Sequence, residues 1–363
     1  MSAQIRIAYT LVCYDAANSG VYKKILDQVE EWKNSGHLVQ LFVITDKQSL
    51  VEWQKIDPFV IALYDAGFAR NLINRVRIVQ LAAKSSPSVI YVRDSFPMWL
   101  RKSSAPIVIE IQSLVGPELW LRSKSRYLVF KTFARYIYSR VSAAIYVTHE
   151  LLQKNEFRIG PMVPKIAIGN GVNLSLVKTL PPRLDVKPAL FFIGSPNQKW
   201  HGIEELVEFA TLNPDIQLEI VGDMAESTAP NITFHGVLSA NEYRTVAAKC
   251  VAGVGTLNLS AKKMTEASPL KVREYLALGL PVIIKYKDAD LDSSEDYVLQ
   301  LPSDGRRLSE FSAEVRLFLD EWSNKRVSSS QVAQIDVATK ELIRLRFFER
   351  VITEHNREMV KEN

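Results

Sequence analysis

The stretch Met264–Ile283, MTEASPLKVREYLALGLPVI, encodes a complete short helix and the start of a strand. Ser268 is a good N-cap residue, and Pro269 suits the first helical position because the amide hydrogen that it lacks would have no partner there. Gly279 is a natural residue just beyond a helix end, and Pro281 stops the helix from continuing. The stretch therefore predicts a helix of about ten residues that leads directly into a strand.

Short apolar runs and longer amphipathic stretches alternate in the same way along most of the chain. Helical patterns lie between several runs, for example at Val21–Ser35, and a long charged helical pattern occupies about 331–360. This alternation favours parallel strands joined by crossover helices, and hence an α/β fold. Twelve runs have the composition of strands: 5–12, 38–45, 88–93, 105–111, 143–148, 165–171, 189–194, 216–222, 231–236, 250–257, 281–286 and 297–302.

The segment 175–188, SLVKTLPPRLDVKP, interrupts this alternation with three prolines and no clear period. Such a segment suits an interdomain linker. We therefore expect a first Rossmann-like domain at 1–174 and a second at 189–330. Ligands of parallel sheets bind beyond the carboxyl ends of the strands, so we expect the two domains to face each other across a ligand-binding cleft.

The composition limits the class of protein. Of the 363 residues, 47% are hydrophobic and 23% are charged, as in a globular protein. The 45 basic and 40 acidic residues give a net charge of +5, which fits a phosphate-rich ligand or an anionic surface without implying nucleic acid. Only Cys13 and Cys250 are present, so we expect a reducing, cytoplasmic setting. A strand-like run follows Met1 almost at once, and no apolar run approaches the roughly 18 residues that cross a bilayer, so we expect neither a signal peptide nor a membrane span.

Two glutamates stand on either side of the predicted helix start at Ser268–Leu270. The free amides there, the helix dipole and the Lys271 ammonium group together form an anion site. Glu266 precedes this site and Glu274 follows it. A nucleotide sugar has a matching order of groups, because its diphosphate lies between sugar and ribose hydroxyls that carboxylates can bind. The alternative is an ordinary capped helix with two surface glutamates.

Several segments have counterparts, in the same order, in one known family. They are NSGVYKKI (18–25), VIYVRDSFPMWL (89–100), IYVTHELL (145–152), IGNGVNL (168–174), FFIGSPNQKWHGIEELVEF (191–209) and EASPLKVREYLALGLPVI (266–283). The last segment looks like the E-x7-E region of the retaining glycosyltransferases of family four, which have the GT-B fold. The chain resembles this family over most of its length.

The resemblance implies roles for several residues. Glu266 would contact the transferred sugar and Glu274 the ribose, while the backbone of Ser19 and Gly20 would face the distal phosphate from the first domain. Glycine permits a backbone to approach a ligand closely, although an ordinary turn between strand and helix is the alternative. The GT-B fold also implies that the C-terminal helix, at about 331–363, packs back on the first domain.

The loop after Gly194 departs from the family pattern. The family usually has an arginine and a lysine that bind the diphosphate, and this chain has Ser195 and His201 at the matching places. Histidine replaces an ammonium group only partly, since its ordinary pKa is about 6.5. Lys199 and Lys271 are the nearby cations. We expect Gly194, Ser195, Lys199 and His201 to line the phosphate site.

A second departure follows the strand-like run at 105–111. Many members of the family carry a histidine near the sugar, and this chain has Gln112 at that place. Gln112 can hydrogen-bond a sugar hydroxyl but carries no charge. We therefore assign Glu266, Lys271 and Gln112 to catalysis without a histidine base, and we place His149 near the cleft.

Other motifs argue against further cofactors. The sequence contains no Walker motif, no GxSxG and no His/Cys spacing of a metal site. Gly253-Val-Gly255 lacks the third glycine of a dinucleotide fingerprint and does not open a helix. We therefore expect no cofactor and no metal, with the nucleotide sugar as co-substrate.

The segment 119–140, LWLRSKSRYLVFKTFARYIYSR, contains six basic residues and no acidic one. Its basic residues lie off the apolar face, so it is a candidate for peripheral docking on anionic lipid headgroups at the cytoplasmic face of a membrane. The alternative is a core helix with a solvated basic face. The apolar residues that share one helical face are Tyr127, Phe130, Ala134, Ile137 and Val141.

These observations lead to one functional hypothesis and two alternatives. The hypothesis is a retaining, hexosyltransferase-type enzyme of polysaccharide, glycolipid or glycoconjugate biosynthesis. It would move a sugar from a nucleoside diphosphate sugar to a hydroxyl of a sugar, lipid-linked or protein acceptor. The alternatives are a non-catalytic binding or scaffold protein with the same fold and a nucleotide-sugar epimerase. We expect no nucleic-acid partner.

Overall fold

The chain forms two compact units. We call Met1–Gly169 together with Val337–Asn363 unit 1, and Asn170–Asp336 unit 2. The computed structural model describes residues 4–14, 19–64, 67–98, 103–181, 187–195, 198–222 and 229–362. Parts of the segments named above lie outside the described residues: Asn18, 99–100, 182–186 of the expected linker, 196–197 and Asn363.

The described residues form fifteen strands and eleven α-helices. The strands are β1 (Arg6–Val12), β2 (Leu38–Thr45), β3 (Ile61–Tyr64), β4 (Val89–Arg93), β5 (Ile107–Ile111), β6 (Ala143–Tyr146), β7 (Lys165–Ala167), β8 (Ala189–Ile193), β9 (Gln217–Val221), β10 (Ile232–Phe234), β11 (Ala252–Val254), β12 (Glu266–Ala267), β13 (Val282–Ile284), β14 (Lys287–Asp288) and β15 (Val298–Gln300). The helices are α1 (Gly20–Asn34), α2 (Leu50–Ile56), α3 (Phe68–Lys84), α4 (Val115–Arg122), α5 (Lys124–Ile137), α6 (His149–Lys154), α7 (Ile203–Leu212), α8 (Ala240–Ala248), α9 (Leu270–Ala277), α10 (Ser312–Glu321) and α11 (Val337–Glu362).

Unit 1 is built on a parallel sheet of seven strands in the order β3-β2-β1-β4-β5-β6-β7. This is the strand order of a Rossmann-like domain, extended by β7. β4 and β5 are buried throughout, as central parallel strands are when helices cover both faces. α1 packs on this sheet, where the ring of Trp32 lies 5.7 Å from that of Tyr9 and 5.9 Å from that of Tyr91.

The C-terminal helix α11 belongs to unit 1. The ring of its Phe348 lies 6.0 Å from the ring of Trp32 and 5.2 Å from that of Tyr91. Its Glu341 accepts hydrogen bonds from Gln28 at 3.0 Å and from Trp32 at 2.8 Å. The end of the chain therefore completes the core that the sheet and α1 begin.

A buried group of charged side chains, which we call the unit 1 charge cluster, joins the sheet, α1 and α11. Glu110 lies 2.5 Å from the Lys24 ammonium group and 3.1 Å from the Arg93 guanidinium group. Arg344 lies 4.0 Å from Glu110 and pairs with Glu341 at 2.8 Å. Burial alone would raise the pKa of Glu110, but Lys24, Arg93 and Arg344 lower it well below its ordinary value.

Unit 2 contains a six-stranded parallel sheet in the order β10-β9-β8-β11-β13-β15. A separate parallel pair, β12 with β14, places Glu266 opposite Lys287. All twelve predicted strands occur, most of them shorter than predicted, and the predicted α/β class is confirmed. β3, β12 and β14 were not predicted, because runs of two to four residues carry too little periodicity.

The predicted helical segment 119–140 contains two helices rather than one. α4 ends and α5 begins at Ser123, whose backbone is extended with φ −166° and ψ 113°. The Ser123 hydroxyl accepts the amide of Arg126 at 3.5 Å, so it caps the second helix. Ala134 and Ile137 of the predicted apolar face are buried, as the sequence pattern indicated.

Candidate functional site

Helix α9 in unit 2 begins one residue later than the sequence predicted. Pro269 is the N-cap residue, with an extended backbone at φ −72° and ψ 136°. The prediction that Ser268 is the N-cap residue was therefore wrong. Its hydroxyl caps no amide of α9 and forms hydrogen bonds with other parts of the unit. The amide of Val272 bonds the carbonyl of Pro269 at 3.2 Å. The preceding amides of Leu270 and Lys271 have no backbone acceptor in the described chain, as is usual in a first helical turn.

The end of α9 forms as predicted. Gly279 has φ +85°, and its amide bonds the carbonyl of Leu276 at 3.0 Å. The amide of Leu280 bonds the carbonyl of Tyr275 at 2.9 Å, which completes a Schellman motif. A Cβ at position 279 would also lie 2.5 Å from Thr179, so glycine is required by contact as well as by conformation.

Arg273 fastens α9 to three other parts of unit 2. Its guanidinium group is fully buried and donates to both carboxylate oxygens of Asp288 at 2.8 and 2.7 Å. It also donates to Asp290 at 2.7 Å and to the Ser268 hydroxyl at 2.8 Å. Its Nε donates to the carbonyl of Asn170 at 3.1 Å. We call these five residues the Arg273 hub, and they hold the start of α9 rigidly in the unit.

Two further contacts seat α9 on the sheet. The hydroxyl of Tyr275 accepts the amide of Ile193 at 2.8 Å, at the end of β8. A Cβ at Gly253 of β11 would collide with the ring of Tyr275, and one at Gly255 would lie 2.9 Å from Ile284. The glycines of the Gly-Val-Gly run therefore permit close packing of α9 and β13 against β11.

The two glutamates that drew attention in the sequence lie on different elements. Glu266 is buried on β12, four positions before α9. Glu274 lies within α9 and is partly buried, and its Oε1 accepts a hydrogen bond from the Tyr243 hydroxyl of α8. Burial and the neighbouring Glu274 raise the pKa of Tyr243, so its hydroxyl keeps the proton that it donates.

The loop after β8 brings Gly194 and His201 together. A Cβ at position 194 would lie 2.8 Å from the His201 ring, so this glycine makes room for the imidazole. The ring stands edge-on to Phe192, with centroids 5.5 Å apart. Burial, followed by the charges of Lys271 and Lys262, lowers the pKa of His201 to about 3. His201 is therefore neutral at physiological pH, and the partial ammonium character considered above does not apply.

The cations predicted near this loop differ in their surroundings. The Lys271 ammonium group is buried over the Phe192 ring, 3.9 Å from its centroid. It has no hydrogen-bond acceptor among the described residues, and burial lowers its pKa well below the ordinary value. Lys199 and Ser195 are exposed. Gly194, His201 and Lys271 thus gather around Phe192, whereas Ser195 and Lys199 face solvent.

The residues predicted in unit 1 lie at ends of strands and helices. The Ser19 hydroxyl caps α1 by accepting the amides of Val21 at 3.2 Å and Tyr22 at 3.4 Å. Gly20, the first residue of α1, is exposed. Gln112 follows β5, and its buried Nε2 has no hydrogen-bond partner in the described part of unit 1. His149 is the exposed first residue of α6.

Neither a metal-binding cluster nor a membrane-spanning helix is found among the described residues. Within them, no group of three or more histidine, cysteine or acidic side chains has the arrangement of a metal site. Among the described helices, none is both long and apolar enough to span a bilayer.

Sequence reasoning missed the residues that support the predicted ones. Tyr243 and the two aspartates of the Arg273 hub support Glu274 and the start of α9, yet nothing in their local pattern marks them. The clearest available signal was Arg273 itself, a charged residue on the otherwise apolar side of a short helix, with two aspartates at Asp288 and Asp290 to pair with it.

No family model and no curated protein sequence matches the chain. Solved structures match it over nearly their whole lengths. HepE from Anabaena, solved in complex with UDP and glucose, has 15% sequence identity and a TM-score of 0.61, covering 99% of this chain and 100% of HepE. The lipopolysaccharide outer core galactosyltransferase WaaB, in its apo form, has 12% identity and a TM-score of 0.63, covering 94% of this chain and 99% of WaaB. Sucrose-phosphate synthase from Thermosynechococcus elongatus has 14% identity and a TM-score of 0.60, covering 98% of this chain and 100% of the synthase.

These likenesses define the class of fold. The matched proteins are glycosyltransferases with the GT-B fold, and this chain shares that fold, with two Rossmann-like domains each built on a parallel sheet. At identities below 25% the likeness concerns the fold alone, because one fold hosts many functions.

Proposed function

We propose that the chain is a glycosyltransferase that moves a sugar from a nucleoside diphosphate sugar to an acceptor hydroxyl. The observation that carries this proposal is the Lys271 ammonium group, which is buried at the start of α9 without an acceptor among the described residues. Without a partner, the charged form of this group is costly to bury, and burial accordingly lowers the pKa of Lys271 well below its ordinary value. A diphosphate bound at the helix start removes this cost, because its oxygens can accept from the ammonium group and from the first amides of the helix.

The proposal assigns a role to each group near α9. Glu266 binds hydroxyls of the transferred sugar, and Glu274, oriented by Tyr243, binds the ribose. As the bond between the anomeric carbon and the phosphate oxygen breaks, negative charge grows on the leaving diphosphate. The amides of Leu270 and Lys271 and the Lys271 ammonium group stabilise this charge, and donors aimed at developing charge commonly supply the largest part of catalysis.

The finer features of the proposal rest on the resemblance described above. The transfer retains the anomeric configuration, the acceptor oxygen bonds the anomeric carbon on the face that the phosphate leaves, and the leaving phosphate takes the proton of the acceptor hydroxyl. Ser19, Gly20 and Gln112 of unit 1 are predicted to contact the donor. The acceptor is a sugar, a lipid-linked or a protein hydroxyl in polysaccharide, glycolipid or glycoconjugate synthesis.

A cytoplasmic location is also part of the proposal. Cys13 and Cys250 are buried, and neither forms a disulfide. Cysteines that form no disulfide suit a reducing compartment.

The roles of the two glutamates are separable by experiment. Glu274→Ala should weaken UDP binding about tenfold in calorimetry, since charge-assisted hydrogen bonds to the ribose are lost. Glu266→Ala should keep UDP affinity and lower turnover on the order of a hundredfold, since its contact is with the sugar being transferred.

A panel of nucleotide sugars in a thermal-shift assay first identifies the donor, because a bound ligand raises the melting temperature.

Glu321→Ala, at an exposed position of α10, is the matched control and should change neither quantity. Wild-type UDP affinity in Glu274→Ala would remove the ribose assignment. Wild-type turnover in Glu266→Ala would remove the sugar assignment.

One observation favours a non-catalytic binding protein as the second candidate. His201 is neutral and Ser195 carries no charge, so two places where the family binds diphosphate lack a cation. Tight UDP binding without hydrolysis or transfer toward any acceptor would support this candidate over the enzyme.

A further inference from the structure

Helix α5 of unit 1 presents a second apolar face to solvent. Four large apolar side chains on it are 49–66% exposed: Leu128, Val129, Phe133 and Tyr136. They follow the spacing of three to four residues that places side chains on one side of a helix, opposite the buried Ala134 and Ile137. We call these four residues the α5 outer face. Contiguous exposed apolar surface of this kind usually marks an interaction site.

Exposed cations border the α5 outer face on both sides. Lys124, Lys131 and Arg135 lie along the edge next to Leu128, and Arg126 lies along the edge next to Phe133. The neighbouring Trp120 of α4 is 50% exposed, with the Lys124 ammonium group 5.4 Å from its ring centroid. Aromatic rings and cations around an apolar stripe are the usual composition of a helix that lies in a membrane interface.

The excess of basic over acidic residues in the whole chain lies in the segment 119–140. Six of the 45 basic residues and none of the 40 acidic residues lie in 119–140, which leaves 39 basic against 40 acidic residues elsewhere. The net positive charge of the protein therefore belongs to this segment.

We propose that α5 docks flat on an anionic lipid surface. Its 14 residues form a rod about 21 Å long, with the outer face at the acyl boundary and the flanking cations at the level of the lipid phosphates. A second copy of the chain does not fit this face, because two segments of six basic residues each would bring twelve cations together without an acid. The inference goes beyond the proposed function, since lipid binding requires no donor.

Vesicle co-sedimentation of the full chain tests the proposal. The protein should pellet with vesicles that contain phosphatidylglycerol and stay in solution with phosphatidylcholine alone, and added salt should release it. Lys131→Glu with Arg135→Glu should weaken the partitioning at least tenfold, because two attractive charges become repulsive. Leu128→Ser with Phe133→Ser should weaken it similarly by removing apolar surface.

Leu317→Ser with Lys325→Glu, at exposed positions of unit 2, is the matched control and should bind as the wild type does. Melting by circular dichroism checks that each variant is folded, and UDP calorimetry on the same variants reports on the donor site independently. Three outcomes would overturn the proposal: no binding to anionic vesicles, equal binding by the α5 variants, or a dimer in sedimentation velocity that the α5 variants dissociate.

Discussion

Tyr243 shows how a single residue can set the state of a predicted ligand group. Its buried ring lies in α8, and its hydroxyl donates to Oε1 of Glu274, 31 positions away. One carboxylate oxygen is thereby fixed in direction. Because burial and Glu274 itself raise the pKa of Tyr243, the hydroxyl remains a donor at any physiological pH.

Tyr243→Phe should lower UDP affinity about threefold to tenfold, since a hydrogen bond that orients a charged ligand group is lost while the ring remains. Calorimetry with UDP measures the change, and the turnover number should stay near that of the wild type. Tyr286→Phe is the control, because the buried Tyr286 hydroxyl has no hydrogen-bond partner among the described residues. Equal UDP affinity in wild type and Tyr243→Phe would exclude a positioning role for Tyr243.

His201 shows that the surroundings of a side chain, rather than its residue type, can decide whether it carries a charge. In the sequence, it stands where a cation is usual in the resembled family. In the structure, burial and two nearby ammonium groups lower its pKa to about 3, so it supplies a neutral ring that packs on Phe192. The positive charge of this loop comes from lysines alone.

At the scale of elements, the start of α9 depends on the Arg273 hub. The guanidinium group, Asp288 and Ser268 are buried, Asp290 is partly buried, and bonds from Arg273 reach Asp288, 15 positions away, and Asn170, 103 positions away. A buried ion pair contributes little net stability, but removal of one partner leaves charges without compensation. The hub therefore ties the position of the first amides of α9, the proposed anion site, to the integrity of the unit.

Arg273→Met should lower the free energy of unfolding by about 3–5 kcal/mol, because the buried Asp288 and the partly buried Asp290 would lose their cation. Urea unfolding measures this loss, and calorimetry under native conditions should show weaker UDP binding by the folded protein. Arg316→Met removes an exposed pair with Asp215 and should cost about 1 kcal/mol or less. Equal costs for the two variants would show that the hub does not organise α9.

At the scale of the whole molecule, the chain begins and ends in the same unit. α11 returns to unit 1 and buries Phe347, Phe348 and Val351 in the core that β1 and α1 start. The unit 1 charge cluster lies in this core, with Lys24 from α1 and Arg344 from α11 beside Glu110 of the sheet. A folded unit 1 therefore requires residues from both ends of the chain.

Lys24 should give this unit a characteristic dependence on pH. Burial lowers the pKa of Lys24 from 10.5 to about 8, an effect larger than the opposing attraction of Glu110. Between these values the unfolded chain binds the proton that the folded chain has lost, so the contribution of Lys24 to the free energy of unfolding rises with pH.

Lys24→Met should remove that rise. The difference in unfolding free energy between wild type and variant should grow by about 3 kcal/mol from pH 8 to pH 10.5, and the titration of buried tyrosines, common to both proteins, cancels in the difference. Urea unfolding at a series of pH values measures it. Lys55→Met, at a side chain that is 62% exposed, should give a difference that stays constant, and a constant difference for Lys24→Met would contradict the burial argument.

Much of the fold followed from local patterns. The twelve predicted strands and the end of α9 at Gly279 occurred where period, β-branched residues and turn residues indicated them. The N-terminal cap of α9 was wrong by one residue, because the amide of Asn170, 98 positions away, and Arg273 engage the Ser268 hydroxyl. Local patterns succeed where the interacting groups are neighbours in the chain and fail where a distant partner competes.

The amino-acid sequence by itself determined the alternation of strands and helices, the end of α9 at Gly279 and the basic character of 119–140. Only the tertiary structure decided which charges are buried and paired, that His201 is neutral, that Tyr243 holds Glu274, and that α5 carries an apolar face toward solvent. The physical reason is that burial and pairing depend on contacts between residues up to 313 positions apart, and the energy of a charge is set largely by those contacts rather than by its neighbours in sequence.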